Sequence, residues 1–386
     1  MKKYFTAAVL VIIAIFSFPR QNVLAGEETS AQLLDQLYEE VEMDQIDLSD
    51  DDYFYQITGY NDLYSFLSAI ISGEYSFDFQ ALWQAFVDVL MQQLKTAVPT
   101  MTLILAVALL SGFLQNLGAA YLSQNIQNTA FIALFATIAL LLINAINTVM
   151  TTSSELIFNL SNITGTIVPI SMVLLSLNGG LITQSALSAT LILFIGLVTR
   201  LISQVIIPLS MFGFTLSIIS NLSKTVDLSY FGSFIKKASA FLLGLCFVVF
   251  SAIIKAQGAA TASLDGVVVD TLKFTANRIP LIGKFLTDSA STVSSFLLVI
   301  KNAFGFAAVV IILAVMLFPV IKILAVFFAV KISAVIAQPF VDKRVSGLLD
   351  SAASYLFFIG ACTTAAGIMF ISMFGIVSAI GNNIVR

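Results

Sequence analysis

Lys322 and Lys331 flank the apolar octapeptide ILAVFFAV, just after Pro319. On a helix their nine-residue separation is about 13.5 Å at 1.5 Å per residue. Placing an ionisable group at membrane depth costs roughly 2.5–3.5 kcal/mol on insertion scales, so such groups are rare and often functional. Two chemistries fit the pair. They are interfacial lysines at opposite ends of a short helix, with stems in lipid and ammonium heads in water. Alternatively they are the basic lining of an aqueous passage, to which Gln338 adds a polar group. No acid within the run neutralises either lysine. Two further basic groups border apolar runs: Lys255 at a helix end, and Arg200 ahead of Pro208. Both can snorkel to an interface.

A second charged set occupies residues 258–300. Asp265, Asp270, Lys273, Arg278, Lys284 and Asp288 interrupt it so often that no window of about 20 residues is free of charge, as a simple spanning helix requires. Leu264, Val267, Val268, Leu272 and Ala276 still fall on a helical stripe, mostly clear of the charges. Pro280 and Gly283 then break the run. This pattern predicts an interfacial or re-entrant helical hairpin, with charges toward water and the Leu/Val stripe toward lipid or neighbouring helices. Asp265, Asp270, Lys273, Arg278 and Lys284 are the candidate partner-docking or gating residues.

Other chemistries are excluded by composition. The chain has no histidine, so it forms no Ser-His-Asp triad and no H-E-x-x-H zinc site. No G-x-x-x-x-G-K-[ST] phosphate loop is present. The two cysteines, Cys246 and Cys362, lie in apolar runs and read as packing residues. An enzyme, a cofactor or metal site, and a nucleic-acid partner are not expected.

The elements that must position these residues are membrane helices. Of the 386 residues, 59% are hydrophobic and only 10% charged, against about 25% charged in soluble domains. The expected fold is all-α, a polytopic membrane helical bundle of about seven spans, with six or eight as alternatives. Residues 1–25 read as a signal peptide, with an uncleaved anchor helix as the alternative, from Lys2 and Lys3 before an apolar core and small residues near Ala25. Residues 26–98 carry fifteen Asp or Glu against one base, Lys95. They read as an acidic extracytoplasmic helical segment, either a solvated cap or a docking surface for a basic partner. Trp83 and the tyrosines suit a membrane interface. The first group of membrane helices occupies 99–257, the amphipathic or re-entrant insert 258–300, and the second group 301–386.

Individual spans are expected near 99–118, 129–150, 156–177, 185–219, 238–257, 302–340 and 351–381, with Pro208 and Pro319 kinking or splitting the two longest. Topology stays open. Lysines flank the loops near 224–237, 255–284 and 343–344, and consecutive loops cannot all be cytoplasmic. Small residues at Ala303/Ala307, Ala361/Ala365 and Gly360/Gly367 permit close helix packing.

The insert narrows the reading. GAATASLDGVVVDTLKFTANRIPLIGKFLTDSASTV, continuing through LLVIKNAFGFAAVVIILAVMLFPVIKILAVFFAVKISAVIAQPF, resembles the stage III sporulation protein AE family of endospore-forming bacteria. The likeness in layout covers essentially the whole chain, and 258–340 is its specific part. The resemblance implies a multi-pass protein of the mother-cell membrane around the forespore. It implies a place in a channel or secretion-like assembly, the A–Q complex, that links the two cells and supports late forespore development. The implied partners are the lipid bilayer, other stage III sporulation A proteins, a cytoplasmic ATPase among them, and a forespore membrane protein. Self-association stays open. The alternatives are a stand-alone secondary transporter and a non-conducting scaffold for partner rings. No active-site residues come with the resemblance.

Overall fold

A computed structural model describes residues 54–55, 58–72, 74–75, 79–121, 123–177, 179–223, 228–276 and 283–384. The side chains of 266–296 lie outside the described set, as do residues 1–53 and with them the expected signal peptide. Every described element is a helix: α1 (Leu63–Ile71), α2 (Phe79–Tyr121), α3 (Gln124–Leu177), α4 (Leu181–Arg200), a π-helical turn (Leu201–Ile206), α5 (Ile207–Leu222), α6 (Ser229–Ala276), α7 (Gly283–Ala337) and α8 (Lys343–Ile384).

Among the described residues, six helices are long and apolar enough to cross a membrane: Trp83–Asn116, Gln124–Leu177, Leu181–Leu222, Tyr230–Gly258, Leu297–Ala337 and Lys343–Val377. The runs 129–150 and 156–177 are one 54-residue helix, so the count among the described residues is six, within the range read from the sequence. The joining stretch, TTSSE, continues the helix. Thr151 within it and Thr148 just before it donate to the carbonyls of Asn147 and Asn144 at 3.2 and 3.0 Å, so these hydroxyls are satisfied without a loop. Pro319 likewise sits inside the continuous α7. Pro208 behaves differently. It has no N–H to give, and the helix widens into the π turn immediately before it.

The acidic segment is also more continuous with the bundle than expected. Asp62 caps α1, its Oδ1 accepting from the Ser65 N–H at 2.7 Å. Phe54, Phe66 and Tyr75 then stack edge to face, with Tyr75 against Phe306 of α7. The stretch around Trp83 is the beginning of α2, which runs unbroken through Pro99 into the first span.

The helices alternate in direction, and contacts between them fix which turns share an end. Phe340, in the α7–α8 turn, lies against Gly112 of α2. Arg344 lies over the Phe131 ring near the start of α3. Asn221, ending α5, meets Gly347 of α8. The turns at 121–124, 222–229 and 338–342 therefore gather at one end, with Lys236, Lys237, Lys343 and Arg344. The α3–α4 turn, α1 and the two halves of the charged insert gather at the other. The Asp265 end of the insert thus lies at the opposite end from the other basic loops. The insert is not separate from the spans. Residues 258–276 extend α6, and 283–300 begin α7.

The centre is the α7–α8 hairpin. Half or more of the most apolar stretch of each is buried (50% and 56%), against 22% for α6. Gly360 and Gly367 of α8 seat Ile323 and Met316 of α7, the close approach that the small residues anticipate.

Candidate functional site

The site is built on the seam between α2 and α7. Lys322, Ala325 and Ala329 are spaced three and four apart and share one face of α7. Ala325 and Ala329 pack on Ala97 of α2. One turn above Ala97 on the same face, Gln93 is buried. Alanines at the contact let the two backbones approach. Lys322 is half-buried at this seam and has no ion-pair partner among the described residues. Fifteen residues separate it from the end of α7 at Ala337, about 22 Å along the helix. That depth lies inside a hydrocarbon core of about 30 Å.

Lys331 is placed otherwise. Its ammonium is paired with the Asp350 carboxylate across the α7–α8 turn, and both side chains are substantially exposed. The acid absent from its own run is supplied by the next helix. Gln338 is exposed in the α7–α8 turn. The structure therefore separates the three expected lining residues: one at mid-depth, one in a surface ion pair, one in a turn.

Of the candidate docking residues, Asp265 has its surroundings fully drawn. It is 1% exposed, and its two oxygens accept from the Ile182 and Thr183 N–H groups, both at 2.9 Å. These are unpaired donors of the first turn of α4, where the helix dipole favours an anion. Asp265 of α6 thus caps α4 from 83 residues away, and its carboxylate faces inward. Asp270 and Lys273 lie on α6 and Lys284 on α7; their side chains, and the whole of Arg278, are outside the described residues.

Sequence reasoning missed a cluster at the basic end. Lys236 donates to Ser354 Oγ at 2.7 Å and stands 4.3 Å from the centre of the Tyr355 ring, a cation–π geometry. Tyr355 is fully buried, and Gly213 and Gly232 leave room for its hydroxyl. A β-carbon on Gly232 would come within 2.5 Å of that oxygen. Arg344 is held by Asp342 at 3.2 Å and by Phe131 at 3.7 Å. The basic doublets were visible in the sequence; their aromatic and glycine partners, on other helices, carried no local signal. Glu155 was also passed over, because it falls in the gap between the expected spans 129–150 and 156–177. Outside the spans, burial pushes the Tyr75 hydroxyl up to about 12, with the neighbouring Tyr60 adding to the effect.

Among the described residues, no three His, Cys, Asp or Glu side chains gather as metal ligands, and both cysteines are free. The arrangement offers a half-buried cation, Lys322, within a long apolar span and two charged ends.

The family model of stage III sporulation protein AE matches residues 61–381. A relative from Bacillus subtilis (strain 168), described as stage III sporulation protein AE, is 25% identical over 317 residues, covering 82% of this chain and 79% of the relative. No solved structure matches.

Proposed function

Because the chain belongs to the stage III sporulation protein AE family, we propose that this multi-pass membrane protein is the membrane-embedded core of a sporulation-specific channel complex. On this reading it sits in the mother-cell membrane around the forespore and supports late forespore development. Its partners are other stage III sporulation A proteins and a forespore membrane protein, with energy supplied by a separate subunit. The chain performs no reaction of its own.

The observation that carries the reading is Lys322, a half-buried cation at mid-depth on the α2–α7 seam. A buried charge is costly to keep, and a passage for polar or anionic cargo gives that cost a purpose. The basic turns on one end suit the cytoplasmic face by the positive-inside rule, which puts α1, the charged insert and the end of α8 outside the cytoplasm. Partner docking then falls to the insert, through Asp270, Lys273, Arg278 and Lys284.

Affinity purification of the full chain from sporulating cells, crosslinked before lysis, tests the assignment. Recovery of other stage III A proteins together with a forespore membrane protein is expected. A chain recovered alone, which also moves solute when reconstituted by itself in liposomes, would instead be a stand-alone transporter.

A further inference from the structure

One row of residues along α3 changes character part-way up the helix. Ile132, Ala136, Leu140, Asn144, Asn147, Thr151, Glu155, Asn159 and Asn162 recur every three or four positions, and all are exposed. They form a single outward stripe. From Ile132 to Leu140 the stripe is apolar; from Asn144 onward it is polar. Asn144 lies twenty residues above the start of α3 at Gln124, about 30 Å along the helix. That is about the thickness of a bilayer's hydrocarbon core.

Three other helices carry exposed charge near the same height. Lys95 lies 26 residues above the end of α2, Arg200 22 above the end of α5, and Lys255 26 above the start of α6. At 1.5 Å per residue these are about 39, 33 and 39 Å from the basic end. Side chains tilt toward a helix N-terminus, which lifts Arg200 past the exposed Leu193 and Leu197 to the same rim. The lower rim carries Lys236, Lys237, Lys331, Lys343 and Arg344, with exposed Tyr230 and Phe231 as an aromatic belt. The two rims are separated by about one bilayer, headgroups included. Between them the large outward side chains are mostly apolar, among them Leu103, Leu110, Phe212, Phe241 and Phe357, with Gln204 and a few threonines as the polar exceptions. The helices do not stop at the upper rim. α3 is 54 residues long, about 81 Å, far more than a membrane can cover.

We infer that the bilayer covers only the half of the bundle between these rims, and that the rest stands in water as a helical head. The head comprises α1, α3 beyond about Glu155, the first turns of α4, the Asp265 end of α6, the start of α7 and the last turns of α8. It rests on the multi-pass reading alone and is independent of whether the protein conducts. Ordinary membrane helices end near the headgroups; these continue as one core, so the head is rigidly coupled to the spans.

Accessibility to a membrane-impermeant maleimide tests the boundary. Asn159→Cys, Asn162→Cys, Ile132→Cys and Leu140→Cys are introduced singly into the full chain after Cys246→Ser and Cys362→Ala. Membranes are opened by sonication, so that orientation does not enter. Labelling at 159 and 162 at least tenfold above that at 132 and 140 is expected. Equal protection at all four sites would overturn the boundary. The unsubstituted chain in lipid vesicles gives an independent reading with a lipid-partitioned carbene probe. Adducts are expected over 132–140 and 241–249 and not over 158–177; adducts over 158–177 would contradict the inference even if a cysteine variant failed to fold.

Discussion

At the basic end the helices meet through glycine. Gly112 lies against the Phe340 carbonyl, Gly347 against Asn221, and Gly213 and Gly232 around the Tyr355 hydroxyl. Backbones and side-chain tips there touch with no room for a methyl group. At the acidic end the contacts are of another kind: the Asp265 carboxylate on the first turn of α4, and the rings of Phe54, Phe66, Tyr75 and Phe306. The first arrangement is steric and intolerant of added volume. The second is electrostatic and aromatic, and loses strength in smaller steps. The end that fixes the spans in register is thus built to be rigid, while the end that carries the charged insert is held by contacts that can be weakened singly.

The largest effect among the substitutions that test this comparison is expected at Gly232. Gly232→Ala puts a methyl group 2.5 Å from the Tyr355 oxygen, and overpacking of this kind costs about 1–3 kcal/mol. Thermal unfolding of the detergent-purified protein should show the loss. Adding Tyr355→Phe removes the offending atom, since the next nearest atoms are 3.7 Å away, and should restore most of the stability. Failure of the second substitution to rescue would mean that the basic end is not held by this contact.

Next comes the cap at the other end. Asp265→Ala leaves the Ile182 and Thr183 N–H groups without acceptors and should cost about 0.5–2 kcal/mol, in line with other N-caps. Hydrogen exchange should rise first in the opening turn of α4 and little elsewhere. A uniform rise across α4, α6 and α7 would show that the two ends are not separable.

The Lys331–Asp350 pair should matter least to stability, because both partners are largely exposed and such pairs contribute about 0–1 kcal/mol. A double-mutant cycle with Lys331→Ala and Asp350→Ala reads the coupling, and a value well above that range would move Lys331 back toward a buried functional role.

An alkaline titration addresses the aromatic cap alone. Tyr75 titrates near 12 when folded against 10.0 in its ordinary setting, so the folded state holds the proton more tightly. Its contribution is complete below pH 10 and is lost as pH rises from 10 to 12. Tyr75→Phe should flatten stability over that window. An unchanged alkaline slope would assign it to other groups.

Much of this architecture was legible in the sequence, and the reasons for the gaps are physical. Apolar run length announced the spans, and the paired small residues announced the α7–α8 seam. TTSSE hid the continuity of α3, because hydroxyls that bond back to the preceding turn have the same composition as a loop. Asp265 read as a surface charge since its partners lie 82 and 83 positions away. Lys331 read as unpaired because Asp350 is on the following helix. Lys322 was legible as an intramembrane cation; that it alone of the three lining candidates keeps that depth came from the helix ends.

The account rests most heavily on Lys322, and the direct measurement is late forespore-specific transcription in sporulating cells whose only copy carries Lys322→Gln, with the protein at its normal level in the membrane. A fall of tenfold or more, with Lys331→Gln close to the unsubstituted chain, is the predicted result. Normal transcription and normal spore yield from Lys322→Gln would contradict the account.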